Sequence, residues 1–119
     1  MKARYLVHTE NKADYERELQ LGKFGTKSVE ACGFIHCSDV ETYKIVSTIY
    51  KDDYNEKVIL LIDSTKVKPE IKWELSGDRE YPHIYGTIDA DAIIGIFEHL
   101  WSDDRVWIMN EELKAYIED

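Results

Sequence analysis

Apolar positions along the chain fall into short runs with two different periods, and these predict strands interleaved with a few helices. Arg4-Tyr5-Leu6-Val7-His8 is β-branched and aromatic, which suits a strand, and Thr9 to Asn11 break it. A helix is expected from Lys12 to about Gln20, with Tyr15, Leu19 and Leu21 on its apolar side and Gly22 as its stop. Phe24 to Glu30 reads as a loop or a single turn. Phe34-Ile35-His36-Cys37 reads as a strand, and Ser38 and Glu41 then have the spacing of a capping box. That box would open a helix from Asp39 to about Tyr50, burying Val40, Tyr43, Val46 or Ser47, and Tyr50.

Lys57-Val58-Ile59-Leu60-Leu61-Ile62-Asp63 is almost continuously apolar, the pattern of a central strand covered on both faces. Ser64 to Pro69 turns the chain. Ile71 to Leu75 alternates apolar and polar residues as a half-exposed strand does, and Ser76-Gly77-Asp78 is a turn. Tyr81 to Gly86 is expected at a sheet edge because it contains Pro82. Ile93 to Phe97 fits a helix by spacing, but its β-branched content and interior glycine favour a strand. Arg105 to Met109 adds a short strand, and Asn110 is placed to cap a terminal helix ending near Ile117. No repeat or linker interrupts this order, so residues 1–119 read as one α+β domain with a mixed or mainly antiparallel sheet and two or three helices.

Composition narrows the reading. A chain of 119 residues can bury roughly two thirds of its unfolded surface, and 44% hydrophobic content argues against disorder. The formal charge of -9 argues against duplex nucleic acid, whose binding depends on basic side chains. More than half of that charge lies between Glu98 and Asp119, expected to be a solvated face. Trp101 and Trp107 in this tail are candidates for weak self-association, so a monomer or weak homo-oligomer is expected. Cys32 and Cys37 have no partner at familiar metal spacing and read as reduced, partly buried thiols, with no metal. No stretch approaches the roughly 18 apolar residues of a membrane span, and the expected compartment is the cytoplasm.

Chemistry concentrates in two segments, Gly33-Phe34-Ile35-His36-Cys37-Ser38 and Tyr81-Pro82-His83-Ile84-Tyr85-Gly86. Each sets a histidine, the side chain that titrates near neutral pH, among residues that restrict the backbone. His36 stands before a helix start that favours anionic or hydroxyl-rich ligands, and His83 and Tyr85 project from one face of an extended segment. A structural histidine bonded to a backbone carbonyl has the same local sequence. Glu74, out of step with Trp73, faces solvent or a cleft and is a candidate base or ribose ligand. His8 ends the first strand, and His99 is most simply structural.

Together with His8 after the first strand, Ser28, the strand from Val58 to Asp63 and Trp73-Glu74, the elements Gly33-Phe34-Ile35-His36-Cys37-Ser38 and Pro82-His83-Ile84-Tyr85-Gly86 resemble the bacterial family catalogued as domain of unknown function 952. The resemblance spans about residues 4–100 and leaves 101–119 as an extension. It implies an ADP-ribosyltransferase-like fold, a compact split sheet whose enzymatic members bind NAD between two sheet halves. A more distant similarity is to the RNA 2'-phosphotransferases, with Val7-His8-Thr9 and Ile35-His36-Cys37-Ser38 in comparable places. The glycine between their histidine and threonine is absent here. So is their phosphate-holding arginine after Ser38, where only Lys44 and Lys51 are offered, which argues against removal of an RNA phosphate.

The resemblance implies a small-molecule nucleotide partner, with NAD as cofactor or substrate. His36, His83 and Glu74 are then the candidate catalytic residues, and His8, Thr9, His36, Ser38, His83 and Tyr85 the candidate binding residues, His36 and His83 forming opposite walls. The competing expectation is a binding module that keeps the fold without the chemistry.

Overall fold

A computed structural model describes residues 3–118. The strand predicted from its unbroken apolar run, β4 (Lys57–Asp63), is buried along its whole length and pairs antiparallel with β1 (Tyr5–Asn11) and β7 (Ile93–Glu98). Its two faces serve two cores. Val58, Leu60 and Ile62 pack with Leu6, Phe24, Ile35, Ile84 and Ile88, whereas Ile59 and Leu61 pack with Val7, Val40, Tyr43, Trp107 and Leu113. Each such aliphatic side chain contributes about 1.5–3 kcal/mol on burial.

Two further strands complete the halves. β3 (Ser38–Asp39) adds to the edge of β1, giving the order β3-β1-β4-β7, and a second sheet has the order β2-β6-β5, with β2 (Ile35–His36), β5 (Ile71–Ser76) and β6 (Arg79–Ile84). A small hairpin pairs β8 (Leu100–Trp101) with β9 (Trp107–Ile108). All these pairings are antiparallel. With three short α-helices among the described residues the architecture is α+β. The extended segment from Ile35 to Asp39 belongs to both sheets, pairing first with β6 and then with β1. This crossing brings the two halves of the fold together at His36.

Several local expectations give way to tertiary structure. α1 (Lys12–Leu21) ends at Gly22, which is left-handed and donates to the Glu18 carbonyl, as predicted. Its buried residues, however, are Asp14 and Glu18, while Leu19 and Leu21 are exposed and only Tyr15 joins the core. The expected loop at Phe24–Glu30 contains α2 (Thr26–Cys32), framed by left-handed Gly25 and Gly33. The helix predicted from Asp39 is reduced to α3 (Tyr43–Val46) and a 3-10 turn over Ser47–Tyr50, because Ser38 and Asp39 are taken up by pairing with Val7 and Leu6. Ser38 donates to the Asp39 carbonyl instead of capping, and Asp39 Oδ1 accepts from Thr42 N. Val40, Tyr43 and Ser47 are buried, as their spacing predicted.

Pro82 lies in the central strand of its sheet, not at an edge. Its carbonyl accepts from Cys37 N, so its nitrogen faces the same way, toward β2 and away from β5. β2 has ended there, and no ladder bond to Trp73 is lost.

The C-terminal segment is part of the core. Leu113 is fully buried, Tyr116 meets Tyr5 edge-on and the Glu118 carboxylate accepts from the backbone amides of Arg4 and Tyr5. Trp107 faces inward beside Tyr43, which removes it from any self-association surface. Glu111–Tyr116 is 3-10 rather than α-helical, and Asn110 donates to the Glu98 carbonyl in place of capping it. Arg105, at φ 60, lies between the rings of Trp101 and Tyr54 and donates to the carbonyls of Lys51 and Asp53. Arg105→Ala is expected to lower the urea unfolding free energy by about 1–2 kcal/mol through lost ring contacts and two lost hydrogen bonds. An unchanged midpoint would contradict that role.

Candidate functional site

The site is built around the crossing segment. The His36 amide donates to Ser28 Oγ, and Ser28 Oγ donates to the Phe34 carbonyl, so one hydroxyl on α2 replaces a missing strand partner. His36 opposes His83 in register without exchanging backbone bonds, the arrangement in which facing side chains approach most closely. Their ring centroids are 5.4 Å apart. Phe34 stacks on His83 at 4.1 Å and meets His36 edge-on at 4.7 Å.

His83 is held from behind. Glu74 faces Tyr81 across the β5–β6 hairpin, so the carboxylate shares a face with His83 and Tyr85. Its Oε1 accepts from His83 Nδ1 at 2.8 Å and from Tyr85 OH at 2.5 Å. The Tyr85 hydroxyl first, and His83 second, hold the Glu74 carboxyl below its ordinary range. With Nδ1 donating to Glu74, Nε2 is the ring nitrogen whose lone pair can accept. His83 is only 8% exposed.

His8 reaches the same place from the other sheet. Its Nδ1 donates to the His36 carbonyl at 2.7 Å, and its Nε2 stands 3.5 Å from Glu10 Oε1. Glu10 in turn shares a hydrogen bond with Glu18, whose Oε2 accepts from both the amide and hydroxyl of Thr26. Glu10 Oε2 and Glu18 Oε1 are buried and accept from no described donor, so a proton shared between the two carboxyls would satisfy both. Burial and the Glu10 carboxylate push the Glu18 carboxyl up to about 7, so Glu18 is the proton carrier. Burial also works to raise Glu10, but hydrogen bonds from His8 and Glu18 outweigh it and hold Glu10 low. His36 is lowered by burial, then by His83 and His8.

His8, Glu10, His36 and His83 open on a cleft of about 860 Å³. Of the residues predicted from sequence, His8, Thr9, His36, Ser38 and His83 line it, whereas Glu74 and Tyr85 do not and instead position His83. His36 and His83 stand side by side on one sheet rather than on opposite walls, and His8 comes from the other. Thr9 Oγ1 bonds the Tyr43 hydroxyl, which also bonds His99 Nε2. Burial, then the charges of Lys57 and Arg105, lower His99 to about 4, so it stays neutral and structural.

The sequence reading missed Glu10, Tyr43 and Cys32 as lining groups. Cys32 is exposed and 3.3 Å from His36 Nε2, whereas Cys37 is buried; both are free. No group of three or more His, Cys, Asp or Glu side chains is placed to hold a metal ion among the described residues. No described helix is long and apolar enough to cross a membrane.

Fold and site define a small α+β protein with a three-histidine cleft where two antiparallel sheets meet. The chain belongs to the family described as protein of unknown function DUF952, whose model matches residues 9–96. The crystal structure of protein CC0527 from Caulobacter crescentus has the same fold, with a TM-score of 0.76 at 21% identity, covering 92% of this chain and 98% of that one. Its solution NMR structure gives 0.70 at 23% identity, covering 87% and 90%. No curated protein matches the sequence.

Proposed function

We propose that the cleft binds a nucleotide of the NAD or ADP-ribose type and that the protein transfers or hydrolyses an ADP-ribosyl group. The observation that carries this reading is the convergence of His8 from one sheet with His36 and His83 from the other in a single cleft. It matches the site location expected from the resemblance to the ADP-ribosyltransferase-like fold, a cleft between two sheet halves. His36, Ser38 and Thr9 supply hydrogen-bonding groups for ribose and phosphate oxygens, and the exposed Ile45, Ile49 and Leu75 offer an apolar shelf for a flat ring. In hydrolysis, water attacks the ribose anomeric carbon, the bond to nicotinamide breaks and His83 Nε2 takes the proton of the water. Glu74 is a positioning residue that fixes the His83 tautomer.

Calorimetric titration with NAD and with ADP-ribose tests the binding step. Saturable binding is expected, weakened about tenfold in His36→Ala by loss of one charged or neutral hydrogen bond of about 1.5 kcal/mol. No binding at millimolar ligand, or unchanged binding in His36→Ala, overturns it. A second reading is binding without turnover, favoured by Glu74 being engaged behind His83 and absent from the cleft wall. Nicotinamide release from NAD by the purified protein decides between them.

A further inference from the structure

Cys32 lies at the end of α2 with its thiol in the cleft, four residues before His36, and its Sγ is 3.3 Å from His36 Nε2. We infer that Cys32 and His36 form a thiol–imidazole pair that makes Cys32 a modification site for low-molecular-weight disulfides. This inference does not depend on the nucleotide reading. Three observations support it. The thiol is accessible and in hydrogen-bond contact with a nitrogen that can take its proton. Beside the pair stands His83, 8% exposed and lining the cleft, its ring fixed by the Nδ1 bond to Glu74 so that Nε2 can bond an incoming polar group. The other cysteine, Cys37, is buried, and burial pushes its thiol well up, so the chain carries its own inert reference.

The groups facing His36 are Cys32 on α2, His83 on β6 and His8 on β1. Burial first, and then the two imidazoles, disfavour a charge on His36 and so favour the neutral form that accepts a proton. In the reaction the Cys32 S–H proton moves to His36 Nε2 and Cys32 Sγ bonds one sulfur of the disulfide. The disulfide S–S bond breaks, and the departing thiolate takes the proton back from His36. One thiol and one disulfide become a mixed disulfide and a free thiol, with no other oxidant. The adduct occupies the cleft beside His36 and His83.

The test treats the full chain with glutathione disulfide and follows intact mass, with peptide mapping of the product. A single adduct on Cys32 is expected, absent in Cys32→Ser and reversed by dithiothreitol. The rate near neutral pH should fall about tenfold or more in His36→Gln, and its pH profile should lose an inflection in the imidazole range. Rates for the two proteins should become equal in denaturant, which separates the pairing from any intrinsic difference. Equal reaction of both cysteines, or an unchanged rate and profile in folded His36→Gln, would overturn the inference. If His36→Gln does not fold, a wild-type rate no faster than that of the denatured chain overturns it equally.

Discussion

Glu18→Gln is expected to gain stability relative to the wild type as pH rises from about 5 to about 8, reaching about 3 kcal/mol at the upper end. Glu18 is fully buried and its carboxyl titrates at about 7, raised first by burial and then by Glu10. Because the folded-state value is raised, the stability contributed by the Glu18 proton is fully present below the ordinary carboxyl range. It is lost as pH rises toward and through about 7. Above that pH the wild type holds two buried carboxylates against each other, whereas glutamine keeps the neutral form. The glutamine carbonyl can still accept from Thr26, and its amide can donate to Glu10.

Other groups titrate nearby with different signs. His99, lowered to about 4, adds stability as pH rises into the ordinary imidazole range, and Asp53 and Asp89, each held at about 2 first by a lysine hydrogen bond, act only at lower pH. These terms are common to both proteins, so the difference between their urea-denaturation curves isolates Glu18. Parallel stability profiles for the two proteins would show that the acid pair carries no shared proton.

The other large effect is expected at Gly25, where alanine should cost about 3 kcal/mol. Gly25 has φ 79, a left-handed conformation that alanine adopts at a cost of about 1–2 kcal/mol. A Cβ there would lie 2.6 Å from Ile35 Cγ1 and closer still to Cδ1. Ile35 is fully buried and cannot yield without disturbing Leu6, Phe24 and Ile84 around it. It also precedes His36, so relief of the clash displaces the cleft. Gly22→Ala is the matched control, since Gly22 is equally left-handed but a Cβ there meets nothing within 4 Å. Losses of similar size at the two positions would remove the Ile35 contact from the account.

Glu18 and Gly25 lie where local pattern and tertiary structure part. The unbroken apolar run assigned β4 and its double burial, because such a stretch can be satisfied only in a central strand; alternation assigned Ile71 to Leu75, and β-branched content, against a helical spacing, assigned the β7 run. The two histidine segments also stood out, since proline and glycine flank them whatever the remainder of the chain does. α1 was misread on its faces because its two leucines outweigh Glu18 on any hydropathy argument. In the folded chain Thr26 and Glu10 offer Glu18 hydrogen bonds that no sequence window contains. α2 was invisible for a related reason: seven residues rich in polar and β-branched types form a helix only when Gly25 and Gly33 terminate it against packed neighbours.

Chain order alone therefore pointed to the three histidines that meet at the cleft, because residue type fixes what a side chain can donate, accept or titrate, but it left out Glu10, Tyr43 and Cys32. It did not specify who meets whom. Pro82 in a central strand and His8 arriving from the other sheet follow from the crossing of residues 35–39 between two sheets, Glu74 behind His83 from the register of the β5–β6 hairpin, and Cys32 against His36 from the seating of α2 beside β2. That crossing is a long-range pairing, and only the packed fold supplies the burial and hydrogen bonds that make it the stable one.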